Sequence, residues 1–312
     1  MLITLSCLAA VGLDGWLGEP RRHHPLGAFA RLAAGAEALA RRLATSPVAL
    51  RGVGVTAVVA LTLPLGLGAF GLTALPGGMG TVLAVALLYL TLGARSLVDH
   101  ASPIAKALEA GDLPLARQRV AMIVSRDTEA MDEGQVAVAA CESVLENGCD
   151  AVFGTLFWFA VAGAPGAVVY RAVNTLDALW GYKTPRYRDF GWAAARADDV
   201  LNWLPARLTA MSYALVGDAP RAVRCWRRQG RQWKSPNAGP VMAAGAGALG
   251  LALGGGAHYH GQFQPRPPLG EGRTPKGNDI RRAVGLVVRA LLLWLGAIAT
   301  LEGLITPGPG AM

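Results

Sequence analysis

The amino-acid sequence predicts an all-α, polytopic integral membrane protein in which additional polar or re-entrant helices form a cytoplasmic-side site. Of its 312 residues, 53% are hydrophobic and only 16% charged, well to the apolar side of soluble domains. Long Gly/Ala/Leu/Val runs approach the roughly 20 residues that a spanning helix needs, and their small residues let helix backbones pack closely in lipid. The formal charge of +8 is concentrated between those runs rather than within them.

The first run, MLITLSCLAAVGL, has no basic residue ahead of it and leads into Asp14 with no small-residue cleavage site, so it is not read as a cleaved signal peptide. GEPRRHHPLG follows, placing Arg21, Arg22, His23 and His24 as a positive-inside anchor; two adjacent histidines cannot share a helical face as metal ligands. Residues 53 to 75 and 79 to 97, split by LPGGMG, read as a helical hairpin of spans. Residues 98 to 150 read as helical and non-spanning: Pro103 and Pro114 mark turns, and SRDTEAMDEGQ is expected to start a helix capped by Ser125 or Thr128. The run 151 to 162 is interrupted by Gly163, Pro165 and Gly166 after about a dozen residues, which predicts a re-entrant or protein-buried segment. Residues 239 to 257 make a weaker span, 263 to 279 a Pro/Gly-rich loop, and 284 to 306 a final span in which Arg289 snorkels or finds a partner. The division expected is one membrane-embedded domain: N-terminal membrane helices 1–97, polar catalytic helices 98–235, C-terminal membrane helices 236–312. Cys7, Cys141, Cys149 and Cys225 form no CxxC pair and read as reduced core residues.

Charge is unevenly spread. Segment 95 to 150 has five basic and ten acidic residues; segments 19 to 51 and 171 to 234 have six against two and twelve against five. Both basic segments are expected on the cytoplasmic side, and an acidic stretch beside a basic one suits anion binding through metal and Arg together. In CESVLENGCD, a helix places Gln135, Glu142, Glu146 and Cys149 on one stripe, with Asp150 beside it. A lone pair of Glu four apart reads most simply as a solvated acidic face; leading into an apolar run, it also reads as a hard-oxygen site for Mg²⁺. Asn174 and Asp177, then Asp199 and Asn202, each put an amide and a carboxylate three apart, with Asp198 preceding the second pair. Between them lie Lys183, Arg186, Arg188 and Arg196 among Tyr182, Tyr187, Phe190 and Trp192, suited to phosphates and a planar ligand, although a juxtamembrane aromatic belt would explain several of them. Arg126 and Asp127, within SRDT, read as an anion and metal pocket at a helix start or as simple capping. No Walker A loop, GxGxxG, GxSxG or HExxH occurs.

DGWLGEPRRHHPLG (14 to 27), SRDT (125 to 128), ESVLENGCDAVFGTLFW (142 to 158), the stretch 163 to 208 and SPNAG (235 to 239) resemble, in order and over nearly the whole chain, the adenosylcobinamide-phosphate synthase family, the CbiB/CobD-type membrane proteins of cobalamin biosynthesis. Ser125 and Glu19 stand where that family usually has Gly and Asp. The resemblance implies amide formation between an aminoalcohol or its phosphate, such as aminopropanol phosphate or ethanolamine phosphate, and the free propionate of adenosylcobyric acid, a corrinoid substrate. Activation through ATP with Mg²⁺ is expected. On chemistry at the matching positions, Glu142, Glu146, Asp177 and Asp199 are expected to be catalytic and to hold the metal. Asn147, Asn174 and Asn202 assist, Arg126, Asp127, Lys183, Arg186 and Arg196 bind phosphate or propionate, and Tyr182 and Trp192 line the corrinoid. The setting implied is the bacterial cytoplasmic membrane, multi-pass, with the site facing the cytoplasm. Membrane lipid, other cobalamin-pathway enzymes or further copies of the chain are the expected partners, and nucleic acid is not. A prenyl- or phosphatidyl-type transferase, suggested by Asp198-Asp199-x-x-Asn202, and a non-catalytic corrinoid-binding scaffold are the alternatives.

Overall fold

The computed structural model describes residues 2–20, 24–259 and 261–305. Arg21, Arg22 and His23 of the expected anchor lie outside the described residues. Helices dominate, as the composition requires, and among the described residues four helical stretches are long and apolar enough to cross a membrane: Pro47–Thr73, Met79–Glu109, Glu133–Trp180 and Gly277–Ile305. The chain divides into two compact units, one of Met1–Gly93, Gly154–Asn202 and Ile298–Met312, the other of Ala94–Phe153 and Trp203–Ala297.

In the first unit, α1 (Leu2–Leu17), α2 (Pro25–Leu43), α3 (Pro47–Thr73) and α4 (Met79–Thr91) precede α8 (Gly154–Trp180) and α9 (Trp192–Leu201). His24 caps α2, its Nδ1 accepting from Leu26 N at 3.1 Å. Gly77 and Gly78, at φ 70° and 81°, turn α3 into α4 and make the hairpin that LPGGMG predicts. Phe29, Val58, Leu176, Trp180 and Phe190 form the core that seats α2, α3, α8 and α9, with Trp180 edge-on to Phe190 at 4.8 Å. Gly54 is required there because a Cβ would stand 2.2 Å from Phe190 O.

The apolar run after Asp150 is interrupted where the sequence predicts. Ala162 and Gly163 leave helical geometry, with Gly163 at φ 64°, but the helix re-forms and runs to Trp180. Glycine absorbs the kink, and Pro165 falls in the first turn after it, where no N–H is needed. The run therefore ends as a helical segment near Ala162, and residues 151 to 156 and Phe159 are buried, which is the protein-buried segment expected.

In the second unit lie α5 (Ala94–Glu109), α6 (Leu113–Val120), α7 (Glu133–Asn147), a π-helical turn (Gly148–Phe153), α10 (Trp203–Leu215), α11 (Ala219–Gln229), α12 (Ala238–Leu249) and most of α13 (Gly277–Ile305). Pro103 sits inside α5 rather than at a turn, while Pro114 opens α6. Residues 125 to 128 are not helical. Asp132 caps α7 in a reciprocal box with Gln135, its Oδ1 accepting from Gln135 N at 2.7 Å while Gln135 Oε1 accepts from Asp132 N at 2.9 Å. This D-x-x-Q box satisfies both orphan groups and so displaces Ser125 and Thr128 as caps. Beyond α7 the π turn packs on Tyr213, whose hydroxyl donates to Leu145 O at 3.0 Å. Gly148 leaves room for that hydroxyl, since a Cβ there would stand 2.3 Å from it.

The weak span expected at 239 to 257 is instead the 12-residue buried α12, which a bilayer would not accommodate as a crossing. Two antiparallel pairs follow, β1 (Leu253–Gly254) with β4 (Pro268–Leu269) and β2 (Ala257–Tyr259) with β3 (Gln262–Gln264), so the expected loop carries strands, and Gly277 already begins α13. Arg289 finds Val216 O at 3.4 Å.

Candidate functional site

Among the described residues, each unit holds a cluster of polar side chains that includes expected site residues. In the first unit, α8 presents Tyr170, Arg171, Asn174 and Asp177 on successive turns, and α9 presents Asp198 and Asp199 with Asn202 as its C-cap. Asn174 Nδ2 and Asn202 Nδ2 donate to Asp198 Oδ1 at 3.1 and 3.0 Å. Tyr170 donates to Asn202 Oδ1 at 2.8 Å and Arg171 Nη1 to Asn174 Oδ1 at 3.3 Å, which turns both amide groups toward the carboxylate. Burial raises the Asp198 carboxyl above its ordinary 3.8, the amide hydrogen bonds pull it back in part, and Asp199 adds to the rise. Asp199 is also raised by burial, with Arg196 and then Lys183 opposing; Arg196 lies 2.6 Å from it.

Asn174, Asn202, Asp199, Lys183 and Arg196 are thus among the expected residues that this cluster assembles. The acid that both amides grip is Asp198, not Asp199, because Asp198 and Asn202 are one helical turn apart. That i, i+4 spacing was present in DDVLN. Arg171 carried no such signal; its Nε is buried and meets no acceptor among the described residues. Arg186 takes a different place: with Arg41 and Tyr187 it holds Glu37 of α2, at 2.9 Å from Arg186 Nε, 2.7 Å from Arg41 Nε and 3.2 Å from Tyr187 Oη. Arg51 and Asp189 tie the same loop to α3 at 3.0 Å. Tyr182 and Trp192 are 47% and 44% exposed, and the Tyr182 ring is tilted against Tyr187 with centroids 6.5 Å apart.

In the second unit Glu142 and Arg126 do meet, but directly. Glu142 Oε2 accepts from Arg126 Nη2 at 2.5 Å and from Arg266 Nη1 at 3.0 Å; Oε1 accepts from Gly254 N at 2.8 Å. Arg266, in the segment read as a loop, is the residue the sequence concealed: its partner is 124 positions away. Asp127 turns from Arg126 to the β2–β3 hairpin, accepting from Gly261 N at 2.7 Å while its own N–H donates to His258 O at 2.9 Å. The stripe expected along α7 is divided, for Gln135 is exposed in its capping box while Glu142 is 2% exposed. Asn147 donates to Ser143 O at 2.9 Å within its own helix. The π turn adds residues per turn after it, which takes Cys149 and Asp150 out of the α-helical register.

Glu142 and Glu146 belong to one unit and Asp177 and Asp199 to the other. Among the described residues no three His, Cys, Asp or Glu side chains converge as a ready metal cage. The Asn174 and Asn202 amides offer N–H, not oxygen, to Asp198. Such a set fits a magnesium ion that arrives with phosphate oxygens and takes one or two carboxylates, rather than a resident ion.

These features define a class: a helical, multi-pass membrane protein with buried carboxylate, amide and guanidinium clusters. The CobD/Cbib protein family matches residues 7–287. A Chromobacterium violaceum protein named cobalamin biosynthesis protein CobD is 59% identical over 288 residues, 91% of this chain and 92% of that one. Proteins of the same name from Stutzerimonas stutzeri and Mycobacterium tuberculosis are 57% and 42% identical, covering 95% and 91% of this chain and 96% and 90% of their own. No solved structure matches. The chain belongs to the CobD/Cbib family.

Proposed function

We propose that this protein acts in cobalamin biosynthesis and joins an aminoalcohol phosphate, such as aminopropanol phosphate or ethanolamine phosphate, to the free propionate of adenosylcobyric acid. The observation that carries the reading is the family match from residue 7 to residue 287, with relatives named for cobalamin biosynthesis covering nine-tenths of both chains. An amide forms from an unreactive carboxylate only after activation, for which ATP with magnesium is the proposed source. The amine nitrogen then attacks the acyl carbon, the activated oxygen leaves, and nitrogen sheds a proton.

Asp198, whose carboxyl lies above its ordinary range, is suited to take that proton. Lys183, Arg196 and the unsatisfied Nε of Arg171 are the cations of the same unit that would hold propionate or phosphate oxygens. Asp177 and Asp199 are the carboxylates available to a nucleotide-borne magnesium ion. Exposed Tyr182 and Trp192 offer faces to a planar corrin. The site is proposed to face the cytoplasm of a bacterial cell, where the basic segments 19 to 51 and 171 to 234 belong.

Purified protein given adenosylcobyric acid, aminopropanol phosphate and Mg-ATP should form the amide with nucleotide turnover, and none without ATP. Corrinoid binding without product would assign a carrier instead.

A further inference from the structure

Glu142 is 2% exposed, and the two guanidiniums that clasp it, Arg126 and Arg266, are 10% and 6% exposed. Two buried cations against one buried anion leave one positive charge over, an arrangement that is costly unless another anion completes it. Asp279 is paired with Arg273 and Arg282, and Asp127, which accepts from Gly261 N, is exposed and keeps its charge in solvent rather than in the buried clasp.

The two cations differ in what they have left to give. Arg266 is locked, with Nε on Gly255 O at 2.9 Å, Nη2 within 3.3 Å of both Glu142 Oε1 and Gly254 O, and its guanidinium over the Trp233 ring at 5.2 Å. Arg126 gives one Nη to Glu142; among the described residues its Nε and Nη1 meet no acceptor. Beside Arg266 the chain reads Gly254-Gly255-Gly256, and a Cβ at Gly255 would meet nothing within 4 Å, so there is room for a ligand against the backbone.

We propose that Arg126 is the donor of an oxyanion seat, that the locked Arg266 supplies its second positive charge, and that Glu142 is the positioning residue between them, not a ligand to metal. The ligand class is a phosphate or carboxylate group, planar or tetrahedral oxygens matched by the guanidinium fork. Its assignment to a substrate rests on the amide-forming reading, in which both the aminoalcohol phosphate and the propionate are oxyanions; the seat itself rests on geometry alone.

Equilibrium dialysis of the full-length protein in detergent tests it, with inorganic phosphate, ethanolamine phosphate, ethanolamine and propionate in separate arms. Wild type should bind an oxyanion and not ethanolamine, and Arg126→Lys and Arg266→Lys should each weaken that binding roughly tenfold or more, since lysine lacks the fork. Competition by ethanolamine phosphate but not propionate assigns the seat to the amine donor, and the reverse assigns it to the corrinoid side chain. Glu142→Asp should retain part of the binding and leave the magnesium requirement of amide formation unchanged. Wild-type affinity in both Lys variants, no oxyanion binding at all, or a tenfold shift in magnesium requirement with unchanged oxyanion affinity in Glu142→Asp would overturn the proposal. Amide formation with Arg-independent binding sinks the seat alone; Arg-dependent binding without amide formation sinks the reaction alone.

Discussion

Asp198, on α9, is held by neutral donors, whereas Glu142, on α7, is clasped by two guanidiniums and a backbone N–H. Both carboxylates have been drawn out of water, and each solves the desolvation problem differently. Asp198 is stabilised toward its protonated form, which leaves it able to exchange a proton; Glu142 is compensated by charge, which fixes it and orders the arginines instead. An acid whose hydrogen-bond donors are neutral is suited to chemistry, and an acid buried among cations to scaffolding. Residue type alone does not separate the two.

The comparison is broken most forcefully at Glu142. Glu142→Gln leaves two buried guanidiniums without their counter-ion and should cost about 3–5 kcal/mol, read as a fall in the unfolding temperature of the detergent-solubilised protein. Asp198→Ala should cost about 1–3 kcal/mol, because it strands two amide donors, one of them on buried Asn202, yet it should abolish amide formation. If the loss in stability were larger for Asp198→Ala than for Glu142→Gln, the contrast would be inverted.

Titration sharpens it further. The folded-state carboxyl of Asp198 is raised above 3.8, so its favourable contribution is complete below that value and lost as pH rises through the raised one. Glu37 has the opposite sign: burial would raise it, but hydrogen bonds from Arg186 and Arg41 outweigh that and hold it below 4.5. Its contribution is present above 4.5 and lost as pH falls through the lowered value. Unfolding temperature against pH should therefore lose its upper slope in Asp198→Asn and its acid slope in Glu37→Gln.

The smallest effect is expected at Arg186. Its side chain is 64% exposed and Arg41 remains on Glu37 without it, so Arg186→Ala should leave both the unfolding temperature and amide formation near wild type. A large loss of activity would restore Arg186 to the substrate.

Much of this molecule was legible in the chain. The hairpin at LPGGMG follows from glycines that tolerate positive φ, and the apolar runs follow from bilayer thickness. Asn174 and Asn202 were visible as amides one turn from an acid, but the acid that both meet is Asp198 rather than the Asp177 and Asp199 of the expected pairs, because Asn174 reaches it from another helix. Less accessible were features in which one local signal competes with another. SRDT looked like a helix start until the reciprocal Asp132–Gln135 box, three residues apart, took the cap. The run ending at Gly163 was read as interrupted by a glycine and a proline, and Ala162 and Gly163 do leave helical geometry there; what the sequence did not show is that a second helical segment follows at once and runs to Trp180.

Sequence by itself determined the all-α membrane class, the family, and the inventory of acids, amides and basic residues from which a site can be made, because hydrophobic periodicity and residue chemistry are local properties. Tertiary structure decided which of those groups meet. It gave the amides to Asp198, sent Arg186 to Glu37, and brought Arg266 across 124 positions to Glu142. The physical reason is that a buried charge is stabilised by whatever the packed chain places within about 3 Å, and that distance is not encoded in spacing along the sequence.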